Sequence, residues 1–115
     1  MKKPTLLSPT EAGRCSLFEP VPNVAQGIVS QAVLTTPALR ITLFHFAAGQ
    51  ELSEHTSKAR ALVQILSGTC AFSVGATRHM LNPGDLLHLP PGAPHALTAP
   101  ESFSMLLTQV TEPAG

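Results

Sequence analysis

Charged residues are scarce in this sequence, at 12% of 115 residues against roughly 25% in an average globular domain. Neither sign is in excess, because seven Lys and Arg balance seven Asp and Glu. Without surplus positive charge there is little to neutralise phosphates, so nucleic acid is not an expected partner. No apolar run reaches the roughly 18 residues that a membrane-crossing helix needs, and no membrane partner is expected either. The lysines at 2 and 3 lead into Ser8-Pro9-Thr10-Glu11 and not into the apolar core of a secretion signal. The expectation is a soluble cytoplasmic protein. The two cysteines, Cys15 and Cys70, are too few for a disulfide framework and read as reduced, small apolar residues.

Uninterrupted helical periodicity is missing as well. Eleven prolines and eight glycines are spread along the chain, and no stretch beyond about six residues keeps a helical period. A helix-turn-helix has no room. One short helical signal exists, where Ser8 is placed to cap, Pro9 sits at the first helical position and Glu11 lies three residues past Ser8. Gly13 limits it to a single turn.

What is present is a chain that is 43% hydrophobic, apolar enough to fold, and short enough for one domain only. From Gly27 onward strand signals recur about every ten residues, the rhythm of a sandwich or barrel. Strands are expected over 28–35, 39–47, 52–55, 61–66, 70–74, 77–81, 85–89, 95–99 and 102–110. The turns between them carry Pro37, Gly49, Ser67-Gly68, Gly75-Ala76, Asn82-Pro83-Gly84 and Pro90-Pro91-Gly92. The predicted organisation is an arm over 1–26 packed across an edge, an all-β domain over 27–111 and a tail over 112–115. A neutral, charge-poor surface favours association, so a homodimer is expected.

Two segments are more specific than the rest. One runs from Gly49 through His55, Ser57 and Ala61 to Gly68; the other runs from Gly84 through Pro90, Gly92 and His95 to Ala99. They resemble the paired motifs of the cupin superfamily, G-x5-H-x-H-x3,4-E-x6-G and G-x5-P-x-G-x2-H-x3-N, with fifteen residues between them. The turn skeleton matches at every spacing, and the chain is similar to the small single-domain, RmlC-like conserved-barrel cupins. The resemblance implies a double-stranded β-helix, or jelly-roll barrel, with a pocket inside that takes a small molecule.

In that family the two motifs supply three histidines and a glutamate to a divalent metal. Carried over position by position, the ligands would be His55, Ser57, Ala61 and His95, of which only the two histidines bind a transition metal well. Ala99 also replaces the closing asparagine. A metal such as Zn, Ni, Fe or Mn would need further ligands, because two neutral imidazoles leave its charge uncompensated. Candidates are His45, His79 and His88, with His88 the best placed since its strand leads into the second motif. His45 alternates with Phe44 and Phe46, and two phenylalanines on one face put that face inward and His45 outward. His79 belongs to a hairpin and is expected at the surface. For all three the ordinary reading is a surface or hydrogen-bonded histidine.

Ala61, Val63 and Ile65 share the face of the family's glutamate position and should line the barrel. With Ser57 and Phe46, and with Phe44 and Phe72 contributing, they suggest a pocket for a small apolar or aromatic compound read by His55 and His95. Lys58 and Arg60 are the cations closest to His55 in sequence and are candidates to attract a carboxylate. Two functions stand open: a ligand-binding cupin, or a metal-assisted or histidine-based enzyme of dioxygenase or isomerase type with His55 and His95 as catalytic candidates.

Overall fold

Alternation of apolar and polar side chains along strands of four to eight residues sorts the chain into two antiparallel sheets. The structure, a computed structural model, describes residues 5–18 and 26–112. The nine strands are β1 (Ile28–Thr35), β2 (Leu39–Phe46), β3 (Glu51–His55), β4 (Arg60–Ser67), β5 (Cys70–Val74), β6 (Thr77–Leu81), β7 (Leu86–Leu89), β8 (His95–Thr98) and β9 (Phe103–Val110). One sheet has the order β1-β2-β9-β4-β7 and the other β3-β8-β5-β6, which makes the fold an all-β jelly-roll barrel. Every expected strand is present, with ends shifted by a residue or two, and no helix occurs among the described residues.

The turn expected after Ser8 does not become helical. The Ser8 hydroxyl accepts the Thr10 amide at 3.2 Å, a local bond that competes with helix formation, and the chain runs on without regular structure. The arm is held just before this point, where the Leu6 and Leu7 amides donate to the Ala32 and Val33 carbonyls. Val33 is the extra residue of a bulge in β1, so the arm takes up a carbonyl that the ladder leaves over. The expected irregular arm over 15–23 shows no regular structure at 15–18, and its remainder lies outside the described residues.

Inside the barrel, cross-strand pairing places inward side chains in rows. Phe46 faces Phe103, Phe44 faces Met105, Leu107 lies between Thr42 and Val63, and Gln109 lies between Arg40 and Ala61. The first row is the floor, where the rings of Phe46 and Phe103 stack at 4.7 Å with 5° between their planes. Cys70 and Ala99 are buried with them, and burial pushes the Cys70 thiol up to about 12, so it stays protonated and inert. Cys15 and Cys70 are both free thiols.

The turn between β4 and β5 is packed onto this floor. Gly68 has φ +73°, and a Cβ there would lie 2.0 Å from the Ser102 carbonyl oxygen and 2.7 Å from Cα of Phe103. Gly84 also has a positive φ, +93°, but nothing lies within 4 Å of its Cβ position. Gly68→Ala is therefore expected to cost about 3–5 kcal/mol, strain and backbone overlap together, and Gly84→Ala about 1–2 kcal/mol from strain alone. Denaturant unfolding of the two variants checks this; equal losses would mean that the close approach at Gly68 relaxes freely.

Candidate functional site

The end of the barrel opposite the Phe46–Phe103 floor opens into a cavity of about 350 Å³. The β3–β4 and β7–β8 connections form its rim, tied together where the Gly92 amide donates to the Ser57 carbonyl at 2.8 Å. His55 and His95 face each other across the β3–β8 pair, with ring centroids 4.2 Å apart and planes at 62°. Phe72 lies alongside His95, at 5.9 Å between centroids and 19° between planes.

Both imidazoles are oriented in the same way. His55 Nδ1 lies 2.9 Å from the Ser53 carbonyl oxygen, and His95 Nδ1 lies 2.9 Å from that of Ala93. A carbonyl only accepts, so each Nδ1 carries a proton and donates it, and in the neutral ring the lone pair is then on Nε2. The other walls include Phe44, Leu52, Ala61, Val63, Phe72, Leu97 and Met105, with Ser57 and Gln109 as further polar residues and no charged side chain among the described residues. The Ser57 hydroxyl already accepts the Ala59 amide at 3.1 Å.

The sequence expectations fall into three groups. His55, His95, Ser57, Ala61 and Val63 all line the cavity, as do Phe44 and Phe72. Phe46 does not: it is fully buried in the floor beneath, stacked on Phe103, and its neighbour by alternation, Phe44, forms the wall. His88 does not either. It sits between the buried Leu87 and Leu89 and so projects from the outer face, where its Nε2 accepts Arg60 Nη1 at 2.7 Å. Arg60 points outward with it and pairs with Glu112, whose proximity raises the guanidinium above its ordinary range and holds the carboxyl below its own. His88 gives no help to a metal at His55 and His95, and Arg60 is not a cation of the pocket.

His45 is on the face opposite Phe44, as alternation predicts, yet it is buried and bonded to the Ser104 hydroxyl at 3.0 Å through Nδ1, with no partner for Nε2 among the described residues. His79 is half-buried opposite Phe72 and outside the cavity wall. Gln109 is the polar residue that sequence reasoning missed. Its signal was the alternation Phe103, Met105, Leu107, Gln109, an apolar parity that ends on a carboxamide.

A divalent metal fits these residues poorly. The walls supply two neutral imidazoles, a hydroxyl already engaged and a carboxamide, but no carboxylate, and no group of three metal-ligating side chains occurs among the described residues. Elemental analysis of untagged protein is expected to find far less than one divalent metal per chain, unchanged in His55→Ala. About one metal per chain, lost in that variant, would contradict this reading of the donors.

Comparison with known proteins agrees with the geometry. The family model for the cupin domain matches residues 42–110. A protein of unknown function from Streptococcus pyogenes is 30% identical, with 97% of this chain and 98% of that one covered and a TM-score of 0.83. A cupin superfamily protein from Desulfitobacterium hafniense is 26% identical over 80% of this chain and 84% of its own, with a TM-score of 0.76. A cupin 2 conserved barrel domain protein from Leptotrichia buccalis is 32% identical over 78% of this chain and 44% of its own, with a TM-score of 0.74. No curated protein gives a significant match. The paired motifs, the nine-stranded barrel and the family match over most of the strands together make this chain a member of the cupin family.

Proposed function

We propose that this cupin binds a small organic molecule in the barrel, apolar body toward the floor and hydrogen-bond donor toward His55 and His95. One observation carries the reading: both Nδ1 atoms face backbone carbonyls, so in the neutral rings the histidines offer two Nε2 acceptors to a cavity whose walls are mostly apolar. Acceptors select ligands that donate, and apolar walls reward a ring or short aliphatic body. The same lone pairs favour a second reading, in which one Nε2 takes a proton from the ligand as a general base in a metal-free isomerisation. Among the described residues no carboxylate lines the cavity to stabilise the imidazolium that such a step forms, and this supports binding over catalysis. Two free thiols suit a reducing compartment, and the protein is read as cytoplasmic.

A second copy of the chain is the proposed macromolecular partner. Leu62 and Leu86 are 36% and 64% exposed on neighbouring strands of the larger sheet's outer face, and their apolar surface supports a homodimer. Light scattering is expected to give a dimer mass for the wild type and a monomer mass for Leu86→Lys; equal masses would remove this face from the interface.

Titration with phenol and with anisole, its methylated counterpart, tests the ligand reading. The hydroxyl should strengthen binding by about 3- to 10-fold, the worth of one buried neutral hydrogen bond. In His55→Ala and His95→Ala that preference should shrink while anisole still binds. Equal affinities for the two compounds in the wild type would sink the proposal.

A further inference from the structure

The cavity does not end at Gln109. A second depression of about 200 Å³, lined by Thr36, Pro37, Leu39, Arg40 and Thr111, shares Ala59 and Gln109 with the cavity wall. Arg40 and Gln109 are cross-strand partners in the last inward row, so their side chains leave the sheet on one face. Arg40 is exposed, and neither it nor Gln109 has a side-chain hydrogen bond or ion pair among the described residues. Arg60, by contrast, is occupied by Glu112 and His88 on the outer face, and Lys58 lines neither depression.

We infer that Arg40 and Gln109 form a carboxylate subsite at the mouth, and that the ligand class is a small monocarboxylic acid with an apolar body. The inference rests on the ligand-binding reading and adds the charge of the ligand to it. A carboxylate deep in the cavity would lose its hydration with no cation to replace it. Beside the neutral rings of His55 and His95 it would meet two Nε2 lone pairs, which repel it. At the mouth it keeps part of its water, meets a guanidinium fork and accepts from the Gln109 amide as well. The body of such an acid then lies against Leu107, Val63 and Met105, the inward residues of β4 and β9 beneath Gln109.

The test compares acids with their neutral amides of the same size: benzoate with benzamide and hexanoate with hexanamide, by calorimetric or NMR titration at low salt. In the wild type the acids are expected to bind about tenfold more tightly than the amides, as a charge-assisted contact at a partly hydrated site should give. The advantage should fall with added salt, because Arg40 is exposed. Arg40→Gln should abolish it while amide affinity stays within about twofold, and Gln109→Glu should reverse it through like-charge repulsion. Thermal melts of both variants confirm folding. If amides bind as well as acids in the wild type, or if Arg40→Gln weakens both equally, the carboxylate subsite is overturned and the cavity reading survives. If neither acids nor amides bind, both fall together.

Discussion

The pairing of β9 with β2 on one side and β4 on the other is the constraint on which the rest depends. Eight consecutive residues of β9 are matched to β2, and β4 is matched along nearly the same length with one irregularity near its end. Side chains alternate with period two, so this register decides at once which residues of three strands face the interior. A shift by one residue would exchange Phe103, Met105 and Leu107 for Ser104, Leu106 and Thr108 on the inner face. The floor would lose its stacked rings, and the mouth would lose Gln109.

What could be read from the sequence follows from the range of the physics involved. Strand positions and turns are local, carried by β-branched runs and by Gly and Pro at reversals, and their placement agrees with the structure. Inward parity within one strand is also local. It correctly gave Ala61, Val63 and Ile65 one face, and applied to Leu87-His88-Leu89 it would have turned His88 outward. How high a residue sits along the barrel axis is not local. Phe44 and Phe46 have the same parity, yet one lines the cavity and the other lies beneath it, because their partners across the sheet are Met105 and Phe103. Arg40 was overlooked for the same reason: only the pairing to a distant strand brings it beside Gln109. His45 shows a further limit, since alternation gives the face but not whether that face is covered.

The distribution of polarity inside the barrel follows from a single difference between its ends. The floor is apolar, made of stacked phenylalanines, a protonated thiol and small aliphatic groups. Polar groups collect toward the other end, where His55, Ser57, His95 and Gln109 line the cavity. The position that holds a glutamate in the family pattern is Ala61, and directly beside it across the sheet stands Gln109. Where the family pattern has a carboxylate, this barrel has a neutral carboxamide at nearly the same level.

Each imidazole is anchored to a carbonyl two residues earlier in its own chain segment, His55 to Ser53 and His95 to Ala93. The orientation of the rings is therefore set by short stretches of backbone, independently of the side chains that shape the barrel wall. Wall and imidazoles are separable parts: the interior can be recarved residue by residue while the two rings keep their bearing.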